Sequence, residues 1–159
     1  MQIDQLRLRI SDADLRQLLP VLRPRETPVD ELSVTITPAG FVAKGKYKQT
    51  ITVGFEAMIK VIANGAVVGI QLADLKAAGP LGGMLRGVIT KMITERLRGY
   101  PGVQEASGGV IVDINGVIES LGFASRVKDV KITPGDGEVT VEIAGQLSMA
   151  DADRIKALI

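Results

Sequence analysis

The chain has 159 residues, a length that suits one domain with one sizeable core. It holds no His, Cys or Trp, only three Phe and two Tyr, and its 19 basic and 18 acidic residues leave a net charge of +1. These absences exclude the common zinc and copper sites, thiol nucleophiles, His-based triads, Fe–S clusters and disulfides. The charge balance argues against a dedicated nucleic-acid surface. What is left is an aliphatic, Gly-rich chain whose expected work is binding; neither enzyme activity nor a cofactor is expected.

In chain order, Leu6-Arg7-Leu8-Arg9-Ile10 alternates strictly and reads as a strand with one wet face. Ser11-Asp12-Ala13-Asp14 supplies N-cap chemistry for a short helix carrying Leu15, Leu18, Leu19 and Leu22, which Pro24 and Pro28 close. Glu31 to Thr37 is a second strand. From Phe41 to Val53 the odd positions lean apolar while the even ones carry Lys44, Lys46, Lys48, Thr50 and Thr52, so a single long half-buried strand is expected, whole or broken by a bend near Gly54. Met58–Ala63 and Ala66–Leu75 flank Asn64-Gly65, a strong hairpin signal.

Gly79-Pro80 then opens the longest expected helix. Leu81, Met84, Leu85, Val88, Ile89, Met92, Ile93 and Leu97 form one apolar stripe at helical spacing, opposite Arg86, Thr90, Lys91, Thr94, Glu95 and Arg98. Gly99-Tyr100-Pro101-Gly102 ends it. Strands follow at Val110–Ile114, Val127–Thr133 and Glu138–Ala144, with a short helix over Asn115–Leu121 and a last one capped by Ser148 to Asp151 and running to Ile159.

Two stretches, 3–50 and 108–145, share the order strand, helix, strand, turn, strand, and both middle strands end in Val-x-Ile-Thr-Pro. Internal duplication and the chance recurrence of a hairpin motif are both open readings within a single domain of 1–159. Lys44, Lys46 and Lys48 read as a charged guard on an edge strand, or as a headgroup patch aided by Arg7 or Arg9. The carboxylates look like capping and turn residues and make no general acid–base pair. Gly79-Pro80-Leu81-Gly82-Gly83 lacks the Lys-Ser/Thr of a phosphate loop. The chain shows no opening apolar run and no stretch of eighteen uncharged apolar residues. The expected location is therefore cytoplasmic, or outside the cytoplasm if a leader has been removed.

The order of elements, with the segment Val-Asp-Ile-Asn-Gly-Val-Ile-Glu-Ser-Leu-Gly (112–122), resembles the bacterial LmeA-like phospholipid-binding family of the tubular lipid-binding (TULIP) superfamily. The resemblance covers roughly residues 3–144 and involves no catalytic motif. It implies an α+β fold: a highly curved antiparallel sheet wrapped around one long amphipathic helix, with two or three short helices and an apolar groove for lipid tails.

The expected function is non-enzymatic binding of lipid or another long apolar ligand. Leu81, Met84, Leu85, Val88, Ile89, Met92 and Ile93 would line one side of the groove, and Phe41, Tyr47 and Phe55 the other. The expected partners are a phospholipid or fatty acid, a second copy in a homodimer that completes the tube, and a membrane touched transiently; nucleic acid is not among them. The competing reading is a structural or protein-interaction module whose core is fully packed.

Overall fold

A computed structural model describes residues 2–22, 28–77 and 82–149. The elements in order are β1 (Gln2–Ser11), α1 (Asp12–Leu22), β2 (Val29–Thr37), β3 (Gly40–Lys48), β4 (Thr52–Asn64), β5 (Val67–Ala77) and α2 (Gly82–Leu97). They continue with β6 (Val103–Ala106), β7 (Gly109–Asp113), α3 (Ile114–Ser120), β8 (Phe123–Pro134) and β9 (Glu138–Met149). The strands form a six-stranded sheet, β2-β3-β4-β5-β7-β6, and a three-stranded sheet, β1-β9-β8, with every pairing antiparallel.

The single strand expected over Phe41–Val53 is two strands joined by a hairpin. The pairs Lys48↔Thr52 and Tyr47↔Val53 link residues of equal parity. Odd positions therefore face inward on both sides of the turn, and the alternation passes through it without a break. Alternation alone could not reveal the turn. The Asn64-Gly65 hairpin stands where expected, with Gly65 at φ +58° and Asn64 opposite Val67. β6 was not anticipated: Val-Gln-Glu-Ala is too short to show a period. Ser148 and Met149 belong to β9 rather than to a helix cap, and the rest of the expected last helix lies outside the described residues.

One face of the large sheet carries the core. Along β4 the inward residues are Val53, Phe55, Ala57, Ile59, Val61 and Ala63. On β5 they begin as Leu75 and Ala77. They then change parity to Leu72, Ile70 and Val68, because Ala73 is an extra residue between the pairs Met58↔Asp74 and Ile59↔Leu72. That bulge keeps the apolar stripe on one face through the bend. Helix α2 covers one end of the stripe with Leu85 and Ile89, which pack among Val29, Ala43, Tyr47, Val53, Phe55, Ala57 and Leu72. The small sheet and α3 cover the other end, where Val127 and Val130 pack on Val68, with Val61, Ile70, Ile118 and Ile132 around them.

The expected fold class, a curved sheet wrapped around one long helix, is overturned. Among the described residues 61% are strand and 24% helix, in two sheets with three short helices and no long one. Lengths give the reason. α2 has 16 residues, about 24 Å of helix, whereas β4 has 13 residues, about 43 Å of strand. A helix of that length hides only about half of the apolar face, and a second sheet shields the remainder from water.

Two similar grips hold the layers together. Gly137, in the β8–β9 turn, donates its N–H to Ile36 O (2.9 Å) and accepts the Asp12 N–H (3.0 Å), while Asp12 Oδ1 accepts the Ile36 N–H (2.7 Å). In the β4–β5 turn, Gly65 O accepts the Val130 N–H (2.8 Å) and Ala66 O accepts the Ile114 N–H (3.0 Å). In each case a strand–helix–strand unit closes on the tip of a hairpin from elsewhere in the chain. The two units are the stretches whose sequences run in parallel.

Candidate functional site

The candidate site is the contact between α2 and the inner face of β2–β5. The helix presents Leu85 and Ile89 at i and i+4, both buried, with Val88, Met92 and Ile93 partly buried against the same cluster. Tyr47 and Phe55 join it from the sheet, where the Phe55 ring lies over Gly45. A Cβ at Gly45 would stand 2.9 Å from Phe55 Cζ, so a larger residue there would displace the ring from its present position. α2 ends as the sequence suggested: the Arg98 N–H closes on Thr94 O (2.8 Å) and Gly99 takes φ +86°. Beyond the helix, the Arg98 guanidinium pairs with the Glu105 carboxylate on β6.

The expected lining residues divide. Leu85, Val88, Ile89, Met92, Ile93, Tyr47 and Phe55 meet in one cluster. Met84 points to solvent, and Phe41 is half-buried outside the cluster, paired with Ile36 and Ile59. Leu81 lies outside the described residues, as does the expected helix start at Gly79-Pro80. Val29, Val53, Ala57 and Leu72 belong to the cluster but were not singled out. Val53 and Ala57 could have been found from their parity with Phe55, whereas Leu72 could not, because the bulge at Ala73 reverses the parity of β5.

The cluster comes close to solvent at a hollow of about 260 Å³ lined by Tyr47, Gln49, Thr50, Ile51 and Met84. Ile51 and Met84 are exposed at its rim, and Tyr47, at its floor, is a buried member of the cluster that holds Leu85 and Ile89. Two larger hollows are open and charged. One of about 540 Å³ is lined by Glu31, Lys44, Lys46, Glu56 and Lys76 among others. The other, about 660 Å³, lies along the polar side of α2 and includes Arg86, Lys91, Glu95, Arg98 and Glu105. Both present charge of each sign, a poor match for an apolar chain.

The lysine row is neither an edge guard nor a free basic patch. β3 lies inside the sheet, one strand in from the edge. Lys44 faces Glu56 at 3.8 Å, Lys46 faces Glu31 at 3.0 Å and Lys48 faces Asp30 at 2.7 Å. The hydrogen bond and charge of Asp30 raise the Lys48 ammonium above its ordinary value. Arg7 and Arg9 sit on the other sheet, facing Glu142 and Glu138 at 3.8 Å each. Exposed pairs of this kind add little stability but cancel local charge.

The acidic residues serve the backbone. Ser11 donates both its N–H and its hydroxyl to Asp14 Oδ2 (2.8 Å each), and the Asp14 N–H returns to Ser11 Oγ (3.2 Å), a capping box at the start of α1. Those bonds, the backbone one first, hold the Asp14 carboxyl below its ordinary value. Asp113 caps α3 through the Asn115 N–H (3.1 Å). Among the described residues, no three of His, Cys, Asp or Glu gather as a metal site, and no helix is long and apolar enough to cross a membrane. No protein-family model and no curated protein matches the chain.

Proposed function

We propose that the protein binds the acyl chain of a lipid, or a ligand of similar shape, between α2 and the inner face of the large sheet, without catalysis. One observation carries this reading: the apolar hollow rimmed by Ile51 and Met84 has Tyr47 as its floor, and Tyr47 belongs to the cluster beneath α2. Tyr47 packs there in the cluster of Leu85, Val88, Ile89, Met92 and Phe55, the side chains an acyl chain admitted beneath α2 would meet. Each methylene taken out of water contributes about 0.8 kcal/mol, so binding needs no polar contact. Met92 is unbranched and can repack around a guest. The bacterial phospholipid-binding resemblance in the sequence points to the same ligand class.

A second reading has its own support. Leu85 has no exposed surface and Ile89 very little, so the α2 contact is closed as it stands, as in an interaction module whose core needs no ligand. Val88→Trp and Met92→Trp separate the two. If the interface admits a chain, either indole abolishes uptake of a fluorescent fatty acid while circular dichroism and the melting temperature stay near wild type. If both variants unfold, or wild-type protein takes up no fatty acid, the interface is core alone.

A further inference from the structure

The edge strands of the two sheets are β2 and β6, and β1 and β8. Three of them carry an obstruction to pairing with another chain. β2 bulges between Asp30 and Ser33, and its Ile36 N–H and carbonyl are taken by Asp12 and Gly137. On β8, Asn115 takes the Val127 N–H and carbonyl, and Gly65 takes the Val130 N–H. β6 has only four residues. Short length, bulges and covered backbone groups are the ways in which natural sheets protect their edges. β1 is different. Among the described residues, the backbone of residues 5–10 bonds to β9 alone.

The end of β1 fixes which of its groups are free. Asp12 donates its N–H to Gly137 in the β8–β9 turn, whereas the Ser11 N–H goes to Asp14 Oδ2 and not to β9. Counting back by twos, Ile10, Leu8 and Leu6 bond to β9, while Arg9, Arg7 and Gln5 turn their N–H and C=O outward. The register is unbroken from Gln5 to Ser11, with a bulge before it and the α1 cap after it. This stretch, Gln-Leu-Arg-Leu-Arg-Ile-Ser, is a palindrome of residue classes centred on Leu8. Leu8 is 44% exposed and Leu6 and Ile10 are half-buried, although Val141, opposite Leu8 on β9, packs in the core. The apolar inner face of the small sheet thus runs out to an open edge and ends there incompletely covered.

We propose that β1 pairs antiparallel with β1 of a second copy about a two-fold axis at Leu8, joining two small sheets into one of six strands. Antiparallel pairing of a palindrome sets like against like: Leu8 meets Leu8, Leu6 meets Ile10 and Gln5 meets Ser11 of the second copy. Arg7 and Arg9 of the two copies exchange bonds through their outward groups. With the Gln5 N–H on the Ser11 carbonyl, the ladder has about six bonds. Leu8 falls at a non-hydrogen-bonded pair, where Cα atoms approach to about 4.5 Å and side chains come closest. Facing arginines repel, but Glu142 and Glu138 stand 3.8 Å from Arg7 and Arg9, so each row of charges is neutral. The contact is isologous and closes at two copies. A seven-residue strand a side is small beside the roughly 20–30 residues of a standard interface, so the dimer belongs to the micromolar range and dissociates on dilution. The pairing is independent of the acyl-chain reading, since β1 lies outside the α2 contact.

The test is sedimentation velocity of the full chain from about 1 to 300 µM. The expected result is reversible monomer–dimer exchange, weakened at least tenfold by Leu8→Lys and by Arg9→Pro. Proline at position 9 removes an outward donor and leaves the β9 pairing in place. Arg9→Ala removes the charge and keeps the donor, so it should dimerise within about threefold of wild type. Ile62→Asp, at an exposed site on β4, should behave as wild type does. Melting curves confirm that each variant is folded, and Leu8→Ser and Arg7→Pro replace either variant that is not. Because the chain has no cysteine, Leu8→Cys reports the register. Under mild oxidation it should form a disulfide-linked dimer, as Cα atoms at that separation allow, while Ile62→Cys should not. The pairing is overturned if wild type stays monomeric throughout, or if Leu8→Lys and Arg9→Pro dimerise like wild type. It is equally overturned if Arg9→Ala or Ile62→Asp dissociates the dimer, or if Leu8→Cys fails to cross-link.

Discussion

At the scale of single residues, short polar side chains act through the backbone. Asp12 holds β2 to α1 through the Ile36 N–H. Asn115 performs the corresponding task for α3: its Oδ1 accepts from the Val127 N–H (2.8 Å) and the Ser125 hydroxyl (2.6 Å), and its amide donates to Val127 O (3.1 Å). The capping box makes a pH-dependent contribution. Because Ser11 lowers the Asp14 pKa from its ordinary 3.8, the stabilisation is present above 3.8 and is lost as pH falls through the lower folded value. Asp14→Ala should therefore melt below wild type at neutral pH, with the gap closing in strong acid; thermal melts across that range check it. Lys48 behaves in the opposite sense. Asp30 raises its pKa from 10.5, so its contribution is present below 10.5 and is lost as pH rises through the higher folded value. Ser11 and Asp14 could be read from the chain because a cap is a local pattern. Asn115 could not, because its partners lie ten and twelve residues away.

At the scale of elements, α2 shows how far periodicity reaches. Its stripe was legible, and the inward positions Leu85, Val88, Ile89 and Met92 follow the helical period. Met84 has the same period and a different fate: it stands beside the β3–β4 turn, in the hollow it shares with Gln49, Thr50 and Ile51, and remains exposed. Leu85→Ala should cost about 2–5 kcal/mol, a melting-point drop of roughly 5–15 °C. Met84→Ala should stay within about 0.5 kcal/mol of wild type. Differential scanning calorimetry of the two variants reads the contrast, and equal losses would mean that Met84 is packed. The strands were legible by alternation wherever the pairing kept parity. Alternation hides the 49–51 turn, where parity is preserved across the break, and misplaces the faces beyond Ala73, where a bulge reverses it.

At the scale of the whole molecule, the two apolar clusters share strands β4 and β5 and so should unfold together. Leu85→Ala in one cluster and Val130→Ala in the other should each shift a single transition, the latter by about 2 kcal/mol. A second transition in either variant would show that the α2 end and the small-sheet end melt independently. Composition alone removed His- and Cys-based metal sites, thiol nucleophiles and His triads from consideration, and local patterns alone located the Asn64-Gly65 hairpin, the cap of α1 and the C-terminal end of α2 with its buried positions. These depend on interactions a few residues long. Which surface covers which was settled only in three dimensions. Helix α2 is too short for the face it sits on, so a second sheet must complete the core. The β1–β9 pairing of that sheet joins strands more than a hundred residues apart in the sequence, Leu6 opposite Ile143 for example, a contact that no local period encodes.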